Sequence, residues 1–264
     1  MANLNESKII IGCSVTQKIK KVKQPRGGYI SPKDFTVTKM GDGADTLNPE
    51  ENIHATLMGM TVDYMTRFMS GTTVEESFKI SYMGARLVGE KNKALELMSG
   101  IKELDDISIT NAVKLSGFDT VYRAGPMTYK PVDEFVPDTS TIENIRTMVK
   151  RSLEFLKQYG PKVLDGFTFK GGYTNTVCSG DGDFITEDTL WDFKVSKLLI
   201  KKEHTLQLLM YWRMGLHSVH EEFKNIKYLG IYNPRLNTVY RIAVDKISAN
   251  VISEVETDVI GYEK

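Results

Sequence analysis

The spacing of apolar residues divides the chain into a helical stretch and a stretch with many strands. From residue 48 to residue 116, apolar side chains recur every three or four positions, as on the buried face of a helix. This pattern predicts four helices. The first begins near Asn48, and the other three cover residues 74–87, 91–101 and 107–116. Asn48 is a suitable N-cap, and Pro49 suits the first helical position. We therefore predict a helical region over residues 48–138, with loops or short strands from residue 117 onwards.

The stretch after residue 138 combines strands with helices. The spacing predicts a helix over residues 139–159, which Gly160 and Pro161 end. The pattern then changes to the alternation of strands, in the segments KVLDGFTFKGG, YTNTVCSGDGDFI, TLWDFKV, KYLGIYNP and TVYRIAV. A helix over residues 203–216 separates the third strand from the fourth, and a last helix is predicted over residues 248–260. The expected fold class is α/β, with its core at residues 139–264.

The segment before residue 48 is basic and shows strand-like alternation. KIIIGC, at residues 8–13, predicts a short buried strand. The segment that follows carries five basic residues among apolar ones: Lys18, Lys20, Lys21, Lys23 and Arg26. Such alternation is typical of an exposed edge strand, and the alternative is a basic arm that contacts phosphates. We favour the edge strand, and we expect segments 1–47, 48–138 and 139–264 to form one compact unit.

Charged residues of the predicted strands are candidates for a metal site. Asp183 lies in the acidic, glycine-rich turn GDGD, and the strand LWDFKV carries Asp192 and Lys194, which alternation places on one face. Burying this pair is costly without a partner, and a divalent cation is such a partner. Asp183, Asp192 and the backbone carbonyl of Phe193 are oxygen ligands that suit Mg²⁺. Lys194 would position or deprotonate the metal-bound water and neutralise a phosphate. The simpler alternative is a salt bridge between Asp192 and Lys194 on a solvent-facing strand.

The helix after these strands adds candidate contacts to nucleic acid. Gln207 and Tyr211 are four residues apart and therefore share one face of the helix. Glutamine can bond to a phosphate or a base edge, and tyrosine can stack on a base or donate to a phosphate. The preceding loop adds a local positive patch, formed by Lys197, Lys201 and Lys202. The histidines that flank the helix are interpreted as structural or surface residues, because a zinc site needs more ligands at tighter spacing: His204, His217 and His220.

The order of these motifs resembles the PD-(D/E)XK nuclease superfamily. G-x-x-D ends at Asp183, D-x-K runs from Asp192 to Lys194, and Q-x-x-x-Y runs from Gln207 to Tyr211. The resemblance covers about residues 140–245 and is to the RecB-like branch, which more distantly includes lambda exonuclease. It implies a restriction-endonuclease-like αβββαβ core and an Mg²⁺- or Mn²⁺-dependent enzyme that hydrolyses phosphodiester bonds of DNA. It also implies exonuclease-like activity with a phage, defence or repair role, and it leaves RNA as a substrate and a homo-oligomer open.

RecB-like enzymes often carry an upstream helix with the motif G-x-x-x-H, whose histidine joins the metal. The matching segment here is GMTVD, which begins at Gly59 and has Asp63 where the histidine would stand. Asp63 would serve as an oxygen ligand, Glu143 on the helix before the strands is the competing candidate, and His54 is a third. The alternative for Asp63 is an ordinary exposed helix residue.

Composition excludes several classes of protein. Basic and acidic residues number 34 each, so no overall field attracts nucleic acid and binding must depend on local patches. Cys13 and Cys178 are too few for a disulfide framework or a four-cysteine iron–sulfur cluster, and we expect free thiols, with Cys178 in the core. No apolar run reaches membrane-spanning length, so we expect a cytoplasmic protein that does not bind a membrane.

A second function is compatible with the same pattern. The chain would then be a non-catalytic nucleic-acid-binding or assembly protein that retains the nuclease fold. The neutral net charge and the open choice of upstream ligand are compatible with this alternative. The presence of Asp183, Asp192 and Lys194 together favours the enzyme.

Overall fold

A mixed sheet of six strands forms the centre of the fold. The computed structural model describes residues 12–41, 43 and 46–263. Its strands are β1 (Cys13–Ser14), β2 (Thr36–Lys39), β3 (Lys162–Thr168), β4 (Val177–Ser179), β5 (Asp181–Thr186), β6 (Thr189–Phe193), β7 (Tyr228–Asn233) and β8 (Thr238–Ala243). The large sheet has the order β2-β8-β7-β6-β5-β3, and β1 pairs with β4 separately. In the large sheet β6 and β7 are parallel, whereas the other neighbouring strands are antiparallel.

Helices cover both faces of the sheet, and most of them lie between β2 and β3 in the chain. They are α1 (Val15–Lys21), α2 (Ala55–Met69), α3 (Val74–Ser77), α4 (Lys79–Leu87), α5 (Lys91–Ser99), α6 (Asp106–Ser116), α7 (Asp119–Ala124), α8 (Thr139–Tyr159), α9 (Lys202–Leu216) and α10 (Ala249–Glu254). A π-helical segment, Val255–Ile260, continues α10. The α/β fold class predicted from the sequence is confirmed, with helices and a mixed sheet in one chain.

Side chains that alternate along β6 separate the two faces of the sheet. On one face, Leu190 packs with buried residues of α9, such as Leu208. On the other face, Trp191 packs edge-on against Phe155 of α8, with ring centroids 4.8 Å apart. Because Asp192 follows Trp191 in the strand, its side chain belongs to the face that α9 covers.

Helix α8 joins the sheet to the preceding helices. Its C-terminal part carries Phe155 against the sheet, whereas Ile145, nearer its N-terminus, belongs to a second apolar core with α2 and α4 to α6. The partly buried Phe193 and Val195, at the end of β6, pack against this second core. The helices that lie between residues 48 and 138 therefore contact the sheet where β6 ends.

The first long helix begins later than the sequence predicts. It begins at Ala55, where Nδ1 of His54 accepts a hydrogen bond of 3.2 Å from the backbone N–H of Thr56. Asn48, the predicted N-cap, instead donates its backbone N–H to Oδ1 of Asn144 on α8, at 2.7 Å. The predicted start at Asn48 is wrong because this tertiary contact with α8 outweighs the local capping signal.

The basic segment after Ser14 begins in a helix, so the predicted edge strand is wrong. The Ser14 hydroxyl caps α1 by accepting a hydrogen bond of 3.2 Å from the backbone N–H of Gln17. Val15 and Ile19 are both buried and pack in the same apolar core as α9. Their separation of four residues is the spacing of a helix, which the alternating lysines obscured. The strand predicted at residues 8–13 lies largely outside the described residues.

Two smaller predictions also differ from the structure. Residues 117–137 form α7 and two short 3₁₀ turns rather than strands. Cys178 is exposed rather than buried, because its neighbour Val177 takes the inward position on β4. Both Cys13 and Cys178 are free thiols. Across the part of the chain that the structure describes, no helix has the length and apolar character to cross a membrane.

Replacing Phe155 by alanine should lower the free energy of unfolding by about 3–5 kcal/mol. The ring is fully buried, with centroids 4.1 Å from the Tyr232 ring and 4.8 Å from the Trp191 ring. Urea denaturation followed by circular dichroism measures the change. Leu87→Ala, on the exposed side of α4, is the control and should change stability by less than about 0.5 kcal/mol. Equal losses in the two variants would contradict the packing of α8 on the sheet.

Candidate metal and nucleic-acid site

Asp183 and Asp192 lie on neighbouring antiparallel strands and face the same side of the sheet. In the pairing of β5 with β6, Phe184 is opposite Trp191, so one further step of the register brings Asp183 opposite Asp192. Directly opposed side chains have Cβ atoms about 5 Å apart. Oδ2 of Asp183 accepts a hydrogen bond of 2.6 Å from the backbone N–H of Phe193. The strands therefore bring together the two carboxylates that the sequence proposes as metal ligands.

The glycine-rich segment before Asp183 is the start of β5, not the predicted turn. Glycine is required at position 182 by close packing and not by a turn conformation, since a Cβ atom there would lie 2.3 Å from the ring of Phe167. Asp183 consequently has a fixed strand geometry instead of the freedom of a loop.

Asp192 is the most enclosed charged group of this site. Its relative exposure is 2%, and Oδ1 lies 2.9 Å from Nζ of Lys194. Oδ2 has no hydrogen-bond partner among the residues that the structure describes. A buried carboxylate oxygen without a donor is costly unless a cation occupies its free side. The salt bridge between Asp192 and Lys194 is therefore a buried one, not the solvent-facing pair of the simpler interpretation.

The environment of Asp183 favours its protonated form. Burial raises the pKa of Asp183 to about 7, and the negative charges of Asp192 and Asp63 act in the same direction. The charge of Lys194 and the hydrogen bond from Phe193 oppose this rise but do not cancel it. Two charged carboxylates on directly opposed strand positions repel one another. A bound cation would relieve that repulsion.

Lys194 is protonated in this arrangement. Burial alone would lower the pKa of Lys194, but the carboxylates of Asp192 and Asp183 outweigh burial and raise the pKa above its ordinary value. The ammonium group donates to Oε1 of Gln207 at 3.1 Å as well as pairing with Asp192. A protonated amine can position water and offset phosphate charge, but it cannot deprotonate water. Of the two roles predicted for Lys194, the metal-free arrangement favours the positioning role.

Gln207 and Tyr211 continue this line of polar contacts into the core. Nε2 of Gln207 donates to the hydroxyl oxygen of Tyr211 at 2.8 Å. Tyr211 is only 5% exposed, and its ring lies 4.8 Å from that of Phe169. Burial raises the pKa of Tyr211, so its hydroxyl stays protonated. The hydroxyl of Tyr211 therefore contacts Gln207, which in turn contacts Lys194, and a direct contact of Tyr211 with nucleic acid stays a prediction.

The three lysines of the predicted positive patch have different surroundings. Lys197 is exposed, with Nζ 3.7 Å from the carboxylate of Glu51. Lys201 is exposed and immediately precedes α9, whereas Lys202 is half-buried beside Gly28, where an added Cβ would lie 2.7 Å from the Cβ of Lys202. Lys197 and Lys201 are thus the members of the patch that face solvent.

His204 is a candidate that the sequence analysis set aside. It lies three residues before Gln207 on α9 and is half-buried. Its Nδ1 accepts a hydrogen bond of 3.3 Å from the backbone N–H of Lys201. Burial, and then the charge of Lys194, lower the pKa of His204, although Asp192 and Glu203 act in the opposite direction. The imidazole is therefore neutral near pH 7, with its proton on Nε2. The helical spacing shared with Gln207 was the available signal.

Of the three candidates for the upstream ligand, Asp63 lies nearest to the two aspartates electrostatically. The charge of Asp63 contributes to the raised pKa of Asp183. One turn earlier on α2, Gly59 faces the end of β6, since a Cβ atom on Gly59 would lie 3.8 Å from the Cβ of Val195. Asp63 is not free, however, because it pairs with Nε of Arg67 at 3.1 Å. Glu143 instead pairs with Arg146, and the Nδ1 atom of His54 is used to cap α2.

Arg67 is the cation that sequence reasoning missed. Its Nη1 lies 3.5 Å from Oδ1 of Asp165 on β3, in addition to the contact with Asp63. Burial alone would lower the pKa of Arg67, but the charges of Asp63, Asp165 and Asp183 raise it. No local motif joins positions 67 and 165, so only the folded chain reveals this contact.

The donor set fits a hard divalent cation that keeps most of its water ligands. Within residues 12–41, 43 and 46–263, no three His, Cys, Asp or Glu side chains converge as a metal-binding group. Mg²⁺ is commonly held by one or two carboxylates together with water and substrate phosphates. Asp183 and Asp192 supply two carboxylates, and Oδ2 of Asp192 lacks a partner. The backbone N–H of Phe193 faces Asp183. In a strand, the carbonyl and the N–H of one residue point to the same edge, so the carbonyl of Phe193 also points towards Asp183.

Comparison of the chain with protein-family models, with curated proteins and with solved structures gave no match.

Asp183→Asn should stabilise the metal-free protein, and more so as the pH rises. The ordinary carboxyl pKa of 3.8 is raised to about 7 in the fold, so the folded state holds the proton more tightly than the unfolded state. The contribution of Asp183 to wild-type stability therefore falls as the pH rises from about 4 to about 7, by about 1.4 kcal/mol for each unit of difference in pKa. Asparagine carries no such charge, and its advantage should grow from pH 5 to pH 8.

Urea denaturation in the presence of a chelator, at several pH values, measures this difference. Asp181→Asn, at an exposed position of the same strand, is the matched control and should show no growing advantage. An advantage of Asp183→Asn that is constant across this pH range would contradict the environment described for Asp183.

Proposed function

We propose that the protein is a metal-dependent nuclease that hydrolyses phosphodiester bonds of DNA. The observation that carries this proposal is the pair of aspartates on β5 and β6, one with an unpartnered buried oxygen, beside the protonated Lys194. The element order α8-β3-β5-β6-α9-β7, with an antiparallel triplet of strands followed by a parallel one, resembles the restriction-endonuclease-like αβββαβ core. Motifs and topology therefore support the same proposal independently.

Asp183, Asp192 and the carbonyl of Phe193 would hold Mg²⁺ or Mn²⁺. The bound ion would supply an acidified water and a Lewis acid at the phosphate. The ammonium of Lys194 keeps Asp192 oriented and offers a positive charge for a phosphate oxygen. Burial of these groups strengthens each electrostatic interaction, because little water screens them.

The α9 side of the site would orient the substrate. Lys194 is held by Gln207, and Gln207 by Tyr211, so the ammonium position is set before any substrate binds. His204 is neutral, and its Nε2–H is the donor available to a phosphate oxygen. The exposed Lys197 and Lys201 would attract the DNA backbone locally, which a chain of zero net charge requires.

The finer features of the proposal rest on the resemblance to RecB-like nucleases. These features are exonuclease-like action and a phage, defence or repair role. The alternative is a non-catalytic protein that binds nucleic acid with the same fold. The internal salt bridges of Lys194 and Asp63 are compatible with that alternative, and a cleavage assay distinguishes the two.

The wild-type protein should cleave DNA only with Mg²⁺ or Mn²⁺, and Asp192→Asn and Lys194→Ala should each lower the rate at least about 100-fold. The assay compares linear with circular DNA and single with double strands. Asp245→Asn and Lys246→Ala, at exposed positions after β8, are the matched controls and should retain full activity. Cleavage that persists in the Asp192 and Lys194 variants would refute this active site. A wild type that binds DNA without cutting it would support the non-catalytic alternative.

Tyr211→Phe should lower kcat by about tenfold without changing the affinity for DNA. The substitution keeps the ring against Phe169 but removes the oxygen that accepts from Gln207, and loss of such supporting hydrogen bonds typically costs activity of this order. Single-turnover cleavage gives the rate, and fluorescence anisotropy in a chelator gives the affinity. If the affinity falls while the rate stays unchanged, Tyr211 contacts DNA directly and its proposed positioning role is wrong.

A further inference from the structure

The guanidinium of Arg67 is enclosed by carboxylates from different elements. Its Nε donates to both oxygens of Asp63 on α2, at 3.1 and 3.3 Å, and Nη1 lies 3.5 Å from Asp165 on β3. The charge of Asp183 on β5 also acts on it. The Arg67 side chain is only 18% exposed. A cation is thus built into the acidic cluster next to the proposed metal ligands.

The backbone around Arg67 is shaped to receive it. Gly166, which follows Asp165 on β3, has a φ of 58°, a conformation that favours glycine. A Cβ atom on Gly166 would lie 2.8 Å from Nη1 of Arg67. Asp63 and Arg67 are four residues apart on α2 and therefore share the face that turns towards the sheet. Both elements leave room for one guanidinium between them.

The charges of this cluster leave room for one divalent ion. Four carboxylates, Asp63, Asp165, Asp183 and Asp192, meet three cations, Arg67, Lys162 and Lys194. With all four carboxylates ionised, as they would be beside a bound cation, the side chains carry one net negative charge. One divalent ion together with one phosphodiester anion brings the total to zero, whereas a second divalent ion would leave two positive charges in excess.

We propose that Arg67 takes the place of a second metal ion, so that the site binds a single divalent cation on Asp183 and Asp192. Two-metal sites need carboxylates that hold ions about 4 Å apart. Here Asp63 and Asp165, which would have to serve a second ion, hold the guanidinium instead. Asp63 is accordingly a positioning residue for Arg67 and not the upstream metal ligand. This inference rests on the proposed function, since it concerns the metal of the same site.

Removing the guanidinium should change how many ions bind. Arg67→Gln leaves Asp63 and Asp165 without their cation beside Asp183 and should create a second divalent site. Arg67→Lys keeps the positive charge and should retain one site. Asp63→Asn leaves both ligands in place and should weaken binding of the ion by about tenfold, the lower end for outer-shell partners, whereas Asp192→Asn removes a ligand and should weaken it more than about 100-fold.

The number of bound ions is measured without DNA and without an activity assay. Isothermal titration calorimetry with Mn²⁺ gives the stoichiometry, and electron paramagnetic resonance measures the Mn²⁺ that stays free. We expect one ion per chain for the wild type and for Arg67→Lys, and two for Arg67→Gln. Arg86→Gln, at an exposed position of α4, is the matched control and should bind one ion.

Two ions in the wild type would overturn the inference while leaving the nuclease proposal intact. No ion in the wild type would refute both. If Arg67→Gln does not fold, the Mn²⁺ affinities of Asp63→Asn and Asp192→Asn are compared instead. An equal loss of affinity in both would make Asp63 a ligand, and the inference would then be wrong. A single site of unchanged affinity in a folded Arg67→Gln would also overturn it.

Discussion

The burial of Asp192 on a central strand is the constraint on which the site depends. A carboxylate that is 2% exposed needs compensating positive charge, and Lys194 supplies it to only one of the two oxygens. The lysine is held by Gln207, and Gln207 by the buried hydroxyl of Tyr211. A continuous line of hydrogen bonds therefore runs from the middle of the sheet into α9. Oδ2 of Asp192 lies at the sheet end of this line, where a bound cation would compensate its charge.

Side chains alternate between the two faces of the sheet along β6, so one strand carries both a packing residue and a residue of the candidate site. Trp191 anchors the sheet to α8 through Phe155, while Asp192, the next residue, faces α9. After β6 the chain reaches the helical region, because Phe193 and Val195 pack against the apolar core that contains α2. The helices before residue 138 are thus part of the site and not a separate attachment to it. This contact explains how an arginine of α2 reaches the carboxylates of the sheet.

Local patterns in the sequence were sufficient for part of this site and insufficient for the rest. Strand alternation and short motifs located Asp183, Asp192 and Lys194, because their geometry is set by two adjacent strands. Helical spacing correctly placed Gln207 and Tyr211 on one face, but the spacing does not say that the fold buries Tyr211. The start of α2 was missed because Asn48 is held by Asn144 across the fold, a contact that no local signal encodes.

Arg67 and Lys194 are both cations, but their shapes give them different roles. The guanidinium is a planar fork that can contact two carboxylates at once, as Arg67 does with Asp63 and Asp165. The ammonium of Lys194 is a compact charge that contacts Asp192 and Gln207 and keeps a proton available to a phosphate oxygen. The contacts of Arg67 with Asp63 and Asp165 fix the acidic cluster in place without a metal, so little rearrangement would be needed for the proposed metal to bind. The affinity for the proposed metal would then be set jointly by the sheet, which carries Asp183 and Asp192, and by α2, which carries the neighbouring charge.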